Sequence, residues 1–124
     1  QIMGHYSQED TGVEGLGIVD CYTERLDNNS THNGWEEFNF KRTDLENQSF
    51  NSELKLTKKQ NIHGRVFYNH EYGVVNNTDK TYNKSISDEY SKYSSMIVQD
   101  NIIGIQFHPE KSQQTGLDII SMIL

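Results

Sequence analysis

The residues best suited to chemistry are His108 and Glu110, which lie two positions apart with the chain's only proline, Pro109, between them. Side chains two apart in an extended chain point to the same face, so the carboxylate can accept a hydrogen bond from the imidazole Nδ1–H. Nε2 is then free to take a proton from a nucleophile. The spacing therefore predicts an acid–base pair. On spacing alone a plainer interpretation stays open, in which His108 ends a strand and Glu110 precedes a helix.

Two strands and a helix are predicted to position this pair. Apolar residues at Met96–Val98 and Ile102–Phe107 predict strands joined by a turn, and the unbroken apolar character of the second predicts burial on both faces. Pro109 keeps His108 extended and lacks a backbone donor, so the second strand is expected to end there. Ser112 is predicted to cap a C-terminal helix. One face of that helix would carry Gly116, Ile119, Ile120 and Ile123.

Weaker patterns fill the rest of the chain. Apolar alternation predicts three strands, at Leu16–Leu26, Trp35–Phe40 and Arg65–Asn69. Val74 and Val75 extend or follow the last of these. Asn33-Gly34 is typical of a hairpin turn, whereas residues 41–61 and 76–95 are polar enough to be predicted mostly as loops.

Composition bounds the class of protein. A chain of 124 residues is one domain at most, and its mean hydropathy of −0.80 is low for a compact α/β core. Because it also opens at Gln1 without a methionine and stops within an apolar run, we expect a fragment. The formal charge of −7 argues against nucleic acid or an anionic membrane as partner. No apolar stretch approaches the roughly 20 residues of a membrane span.

Cys21 is the only cysteine and the obvious candidate nucleophile. A single cysteine excludes an internal disulfide framework and fits a reducing compartment. Its neighbours Asp20 and Tyr22 are not glycines, and alternation places it mid-strand on the same face as Val19 and Thr23. No cation or helix N-terminus is predicted nearby to lower its pKa. We therefore predict a structural role for Cys21. The five histidines show no metal-ligand spacing, so no metal or cofactor is expected.

The run Gly-Ile-Gln-Phe-His-Pro-Glu-Lys-Ser-Gln at residues 104–113, with Gly116 following, resembles the C-terminal signature of triad-type (Cys-His-Glu) glutamine amidotransferases. Its continuation is most similar to the glutaminase subunit of imidazole glycerol phosphate synthase, and the resemblance covers nearly the whole chain. It implies an α/β fold, the three-layer, flavodoxin-like class I amidotransferase domain. Residues 1–124 would be its C-terminal part, with a mixed sheet and a C-terminal helix.

The resemblance also implies a substrate site. The nucleophilic cysteine would lie just upstream of Gln1, and residues 1–4 would begin the helix after it. Gln1 and Glu9 would bind the substrate glutamine. His70, Glu71 and Tyr72 resemble the family's His-Ser/Thr-Tyr segment, which contacts the glutamine carboxylate largely through the main chain. Glu71 in place of Ser or Thr adds a negative charge, which is unfavourable there unless it points away.

A partner surface is implied in the same way. Residues 31–36 resemble the family's Pro-His-Met-Gly-Trp-Asn loop, so His32 and Trp35 would face a synthase partner and the ammonia passage. Lys111 resembles the family's interface lysine. A half-buried core aromatic is the plainer interpretation of Trp35. The implied partner is a (β/α)₈-barrel synthase subunit in a cytoplasmic heterodimer.

The implied activity is hydrolysis of glutamine to glutamate and ammonia, with the ammonia used to form imidazole glycerol phosphate in histidine biosynthesis. One alternative keeps the chemistry but supplies ammonia for amidation of a surface-polysaccharide sugar, and the replaced residues around Trp35 favour it. Another is a pseudo-amidotransferase that binds a partner without hydrolysing glutamine. A secreted glycoprotein is a distant third, raised by the Asn-x-Ser/Thr matches.

Overall fold

The computed structural model describes residues 1, 3–9, 13–46, 61–79 and 81–123. The first sheet contains the short strands β1 (Tyr6–Ser7) and β2 (Val13–Glu14) and the longer strands β3 (Cys21–Arg25) and β6 (Tyr72–Asn76). Its strand order is β2-β1-β3-β6. Strands β1 and β3 run parallel and the other neighbours antiparallel, so the sheet is mixed.

Two further groups of strands complete the described part of the chain. Strands β4 (His32–Lys41) and β5 (Asn61–His70) form an antiparallel ribbon, in which ten residues of each strand are paired. Strands β7 (Tyr82–Ser85), β8 (Ser94–Gln99) and β9 (Ile102–Ile105) form an antiparallel sheet in that order. The helices are α1 (Arg42–Glu46) and α2 (Gln113–Ile123), and single 3-10 turns occupy Asp27–Asn29 and Pro109–Lys111. The predicted α/β fold with a mixed sheet and a C-terminal helix is confirmed.

Strand β4 shows how the sequence selects its buried face. Its even-numbered positions point inward, and Phe38 and Phe40 are buried. Odd-numbered positions point outward, as expected for the two-residue period of a strand. The predicted hairpin turn at Asn33-Gly34 is wrong, because both residues lie within β4, opposite Asn69 and Tyr68 of β5. Pairing with β5 supplies the backbone hydrogen bonds that a local turn would otherwise provide.

The main core joins the β4–β5 ribbon, the β7–β8–β9 sheet and α2. Its buried side chains include Phe38, Val66, Tyr68, Met96, Val98, Phe107, Ile119 and Met122. The loop prediction for residues 76–95 is partly wrong, since Tyr82 and Tyr93 are buried and Tyr82 begins β7. The prediction that the strand at Ile102–Phe107 is buried on both faces is also wrong. Strand β8 is the buried one because it lies between two neighbours, whereas β9 is a half-buried edge strand.

Both ends of the chain differ from their predictions. Gln1, Met3 and Gly4 form a turn closed by a Gly4 N–H to Gln1 carbonyl bond of 3.3 Å, and not the start of a helix. In α2 the buried residues are Gly116, Ile119 and Met122, while Ile120 and Ile123 are exposed.

The predicted loop at 41–61 contains α1, and its residues 47–60 lie outside the described ranges. Within those ranges, no helix has both the length and the apolar character needed to cross a membrane.

Candidate active site

His108 and Glu110 meet at the turn that follows β9. His108 Nδ1 lies 2.8 Å from Glu110 Oε1, which is the contact predicted from their spacing. Both side chains are accessible, at 38% and 62% of their full exposure. The backbone N–H of Glu110 itself and then the hydrogen bond from His108 lower the pKa of the Glu110 carboxyl. A charged carboxylate therefore faces Nδ1, which fixes the proton on that nitrogen.

A ring of hydrogen bonds anchors His108 to β5. The His108 N–H donates to the Phe67 carbonyl at 2.9 Å, and the Phe67 N–H donates to Ser112 Oγ at 3.0 Å. Ser112 Oγ donates in turn to the His108 carbonyl at 2.6 Å. The prediction that the Ser112 side chain caps α2 is therefore wrong, because its hydroxyl is used to hold the histidine backbone.

Close packing of α2 also supports this turn. A Cβ at Gly116 would overlap the carbonyl oxygen of Pro109, so only glycine lets the helix approach this closely. The Gly116 N–H donates to the Ser112 carbonyl at 3.1 Å. The helix therefore buttresses the segment that carries the acid–base pair.

A cleft of about 450 Å³ opens beside His108. It is lined by Gln1, Glu9, Thr31, Asn69, His70, Glu71, Tyr72, Gln106 and His108. The structure thus brings together His108 and all five residues predicted to bind substrate. Thr31, Asn69 and Gln106 were missed, although Gln106 lies two residues before His108 and its spacing was an available signal.

The Tyr72 carbonyl is the point where the predicted substrate residues meet. It accepts hydrogen bonds from Gln1 Nε2 at 2.8 Å and from His70 Nδ1 at 2.7 Å. Gln1 Nε2 also donates to Gln106 Oε1 at 3.1 Å. One wall of the cleft is therefore held by side chains that converge on a single main-chain oxygen.

The extra charge of Glu71 has a cationic partner. Glu71 Oε2 lies 3.4 Å from Arg25 Nη1, and Glu71 Oε1 accepts from Thr31 Oγ1 at 3.4 Å. Arg25 also lies over the Tyr72 ring, 5.4 Å from its centre. Both members of the ion pair are exposed, so its stabilising effect is small. Its main consequence is a paired rather than a bare charge at the cleft, which reduces the repulsion expected toward a substrate carboxylate.

The structure contradicts the prediction that the His32 side chain faces a partner. Position 32 is even-numbered in β4, and its ring is only 6% exposed. The ring stacks on Tyr68 and Tyr90, with centres 4.7 and 4.2 Å away. Its Nδ1 is 3.0 Å from His70 Nε2, and its Nε2 is 3.2 Å from Glu36 Oε1. His32 therefore belongs to the wall behind the cleft.

Trp35 and Lys111 lie on the outer face. Trp35 is 38% exposed and packs edge-on against Phe67, with ring centres 5.5 Å apart. Lys111 Nζ lies 5.7 Å from the centre of the Phe67 ring, and the Arg65 guanidinium lies 5.9 Å from that of Trp35. These four residues form an accessible patch of two aromatic rings and two cations, here called the Trp35 patch.

Cys21 is buried, at 3% exposure, and burial raises the pKa of its thiol. A nucleophilic thiol needs the opposite shift, so the structure agrees with a structural role for Cys21. Among the described residues, no three His, Cys, Asp or Glu side chains come together as a metal site.

Comparison with known proteins identifies the class. Residues 2–122 match the family described as "Glutamine amidotransferase class-I". The chain therefore belongs to the class I glutamine amidotransferases, as the signature around His108 predicted.

The similar proteins within that family are synthase subunits. The chain is 35% identical over 125 residues to "Imidazole glycerol phosphate synthase subunit HisH" of Listeria monocytogenes serotype 4b (strain CLIP80459), covering 97% of this chain and 53% of that protein. The corresponding subunit of Pyrobaculum aerophilum is 33% identical over 119 residues, with 95% and 55% coverage. That of Pelagibacter ubique is 29% identical over 133 residues, with 100% and 57% coverage. The chain spans about half the length of these relatives.

Proposed function

We propose that this chain carries the acid–base half of a glutaminase site, which hydrolyses glutamine to glutamate and ammonia. The observation that carries the proposal is the 2.8 Å contact between His108 and Glu110 at the edge of a cleft lined by every residue predicted to bind glutamine. No hydrogen bond from another described residue occupies His108 Nε2. That nitrogen is therefore available for proton transfer.

The proposed reaction proceeds by covalent catalysis. A thiolate attacks the side-chain carbonyl of glutamine, and the tetrahedral adduct collapses to a thioester as the C–N bond breaks. Protonated His108 gives its Nε2 proton to the departing ammonia. It then takes a proton from the water that attacks the thioester, which releases glutamate and restores the thiolate. Glu110 keeps the ring in the required tautomer throughout.

We propose that the thiol belongs to a cysteine outside these 124 residues. Cys21 is buried with a raised pKa, and the relatives are about twice as long as this chain. In this proposal residues 1–124 are the C-terminal part of the amidotransferase domain. Because a reducing compartment protects a thiol nucleophile from oxidation, we place the enzyme in the cytoplasm.

We propose further that the ammonia passes to a (β/α)₈-barrel synthase subunit, which uses it to form imidazole glycerol phosphate in histidine biosynthesis. The names of the similar proteins support this role. The partner would dock on the Trp35 patch, where the exposed Trp35 ring and the half-buried Phe67 ring lie beside Arg65 and Lys111. Aromatic anchors beside cations suit a partner surface that carries carboxylates.

The proposal is tested with the full-length protein and its candidate barrel partner. His108→Ala is expected to lower glutamine turnover by about a thousandfold, because no other group replaces the acid–base function. The matched control is His63→Ala, which removes an exposed histidine of β5 that does not line the cleft. Turnover in His63→Ala should equal that of the unaltered protein. Undiminished turnover in His108→Ala would contradict the mechanism.

Partner choice is tested separately by measuring complex formation. Trp35→Ala is expected to weaken binding of the barrel subunit about tenfold or more, as for an aromatic anchor at an interface. Asn39→Ala changes another exposed, outward-facing residue of β4 and serves as the control. Equal affinities for the two variants would remove the Trp35 patch as the docking surface.

A further inference from the structure

We propose that His32 and Glu36 are positioning residues, which hold His70 as its Nδ1–H tautomer and so fix the Tyr72 carbonyl at the cleft wall. The four groups form a continuous chain from Glu36 Oε1 through both imidazole rings to the Tyr72 oxygen. The inference deepens the proposed function and rests on it, because the Tyr72 segment is where glutamine is proposed to bind. His32 and Glu36 do not line the cleft themselves.

The proton positions in this series of hydrogen bonds follow from its contact with the Tyr72 carbonyl. A carbonyl oxygen can only accept, so the 2.7 Å contact requires a proton on His70 Nδ1. The pKa of His70 is lowered, mainly because the ring is buried. The hydrogen bond to the Tyr72 carbonyl raises this pKa, and repulsion from His32 and His108 lowers it further. A neutral His70 therefore presents a lone pair at Nε2. His32 Nδ1, at 3.0 Å, must then be the donor to it.

The contact with Glu36 completes the series of hydrogen bonds. Three hydrogen bonds need three protons, whereas two neutral imidazoles supply two. The third proton lies between His32 Nε2 and Glu36 Oε1, so the closed chain of hydrogen bonds has no net charge. The pKa of His32 is lowered overall, because burial outweighs the opposing effects of the Glu36 and then the Glu89 carboxylates.

The environment of His32 suits this arrangement. Tyr68 and Tyr90 stack on the ring at interplanar angles of 24° and 23°. They also prevent the ring from turning away from His70. Glu36 stands where the resembling family loop has asparagine, so the carboxylate at the end of the chain is a feature of this sequence.

The consequence concerns substrate binding rather than the chemical step. The Tyr72 carbonyl accepts from both His70 and Gln1, and Gln1 also reaches Gln106. Loss of the donor from His32 would release His70, and Gln1 would then be the only side chain among the described residues that holds that oxygen. His108 and Glu110 keep their own anchor on Phe67 and would be little affected.

The test uses the full-length protein with its barrel partner. His32→Leu, which cannot donate to His70 Nε2, is expected to raise KM for glutamine about tenfold while kcat changes less than about threefold. His32→Asn places an amide N–H near the position of Nδ1 and is expected to restore KM to within about threefold of the original value. Equal KM values for His32→Leu and the unaltered protein would overturn the inference.

Glu36 is tested with a matched neighbour. Glu36→Leu is expected to raise KM about threefold, since His32 loses its second hydrogen bond, whereas Glu36→Gln can donate to Nε2 and should not. Glu37→Leu makes the same change one residue along, on the exposed face of β4. An equal rise in KM for Glu36→Leu and Glu37→Leu would contradict the role of Glu36.

Nitrogen NMR of the histidine rings separates this inference from the proposed function. His70 is expected to show a protonated Nδ1 and an unprotonated Nε2 at neutral pH, and to lose that fixed tautomer in His32→Leu. An Nε2–H tautomer of His70 in the unaltered protein would refute the inference, even if glutamine is hydrolysed. The predicted NMR signature in a protein that never hydrolyses glutamine would support the hydrogen-bond chain and refute the proposed function.

Discussion

Two histidine–carboxylate pairs of similar geometry lie in different surroundings in this protein. His108 and Glu110 are 2.8 Å apart and open to a cleft, whereas His32 and Glu36 are 3.2 Å apart and only 6% and 25% exposed. In the first pair one ring nitrogen is held and the other is available. In the second pair both ring nitrogens have partners, from Glu36 and His70.

The difference shows why a histidine beside an acid is not enough to define a catalytic group. Proton transfer to a substrate requires a ring nitrogen that faces an open space. A ring with both nitrogens occupied and both faces covered can only orient its neighbours. Strand alternation produces the second environment at His32, and the end of β9 at Pro109 produces the first at His108.

The largest difference between the two pairs is expected when the carboxylate of each is replaced in turn by an amide. Glu110→Gln is expected to lower kcat about a hundredfold, because the amide holds the His108 tautomer poorly. Glu36→Gln should leave kcat within about threefold, since His32 takes no part in the chemical step. Steady-state glutaminase assays of the two variants measure the contrast. Equal losses in kcat would show that the two pairs do not have separate roles.

A second prediction concerns the support of the exposed pair. Gly116→Ala is expected to destabilise the protein by about 2–3 kcal/mol, because the new Cβ overlaps the Pro109 carbonyl. Gly34→Ala is the matched control, since a Cβ there meets nothing within 4 Å. Denaturant unfolding of both variants gives the comparison. A Gly116→Ala protein as stable as Gly34→Ala would mean that α2 does not buttress the turn.

A third prediction concerns pH and His70, the buried ring that contacts His32. The pKa of His70 is lowered by burial from its ordinary 6.5, so below that pH the unfolded chain binds more protons than the folded one. A second proton on His70 would also confront the N–H of His32. The free energy of unfolding is therefore expected to fall as the pH drops below about 6.5.

Thermal unfolding midpoints at a series of pH values measure this fall. His70→Asn should reduce the dependence, because the titrating group is gone. A midpoint that stays constant or rises between pH 7 and pH 5 would contradict the assignment of His70 as a buried neutral ring.

The smallest effect is expected at Cys21. Cys21→Ala should leave glutamine turnover unchanged, because the thiol is buried and its pKa is raised. In the full-length protein an alkylating reagent should modify Cys21 much more slowly than the proposed nucleophile. Faster labelling of Cys21, with loss of activity, would instead make it the nucleophile and overturn the distinction between exposed and buried groups.

The sequence was most informative where local geometry determines the outcome. The spacing of His108 and Glu110 was enough to predict their contact, and the family signature predicted the fold. The partners of His32 were not predictable, because its neighbours Tyr90 and His70 come from distant parts of the chain. Asn33-Gly34 was misread for a related reason. Its turn preference is local, while the β4–β5 pairing that overrides it joins Asn33 and Gly34 to residues more than thirty positions away.

Residues 76–95 show the limit of composition. Polar residues dominate the segment, yet Tyr82, Ile86 and Tyr93 anchor it in the core. Ser112 is a comparable case, since serine before a helix normally predicts a cap. Its hydroxyl instead contacts the His108 carbonyl and the Phe67 N–H, and only the folded chain brings Phe67 near.

The alternation of β4 has a consequence for how such a subunit can diverge over generations. Outward positions such as Trp35 lie on the surface proposed for docking, and inward positions such as His32 and Glu36 pack behind the cleft proposed to bind glutamine. Adjacent residues of this one strand are therefore expected to be under different selective pressures. Under the proposed function, substitutions at the outward set would change the partner and substitutions at the inward set would change the affinity for glutamine, while His108 stays as it is.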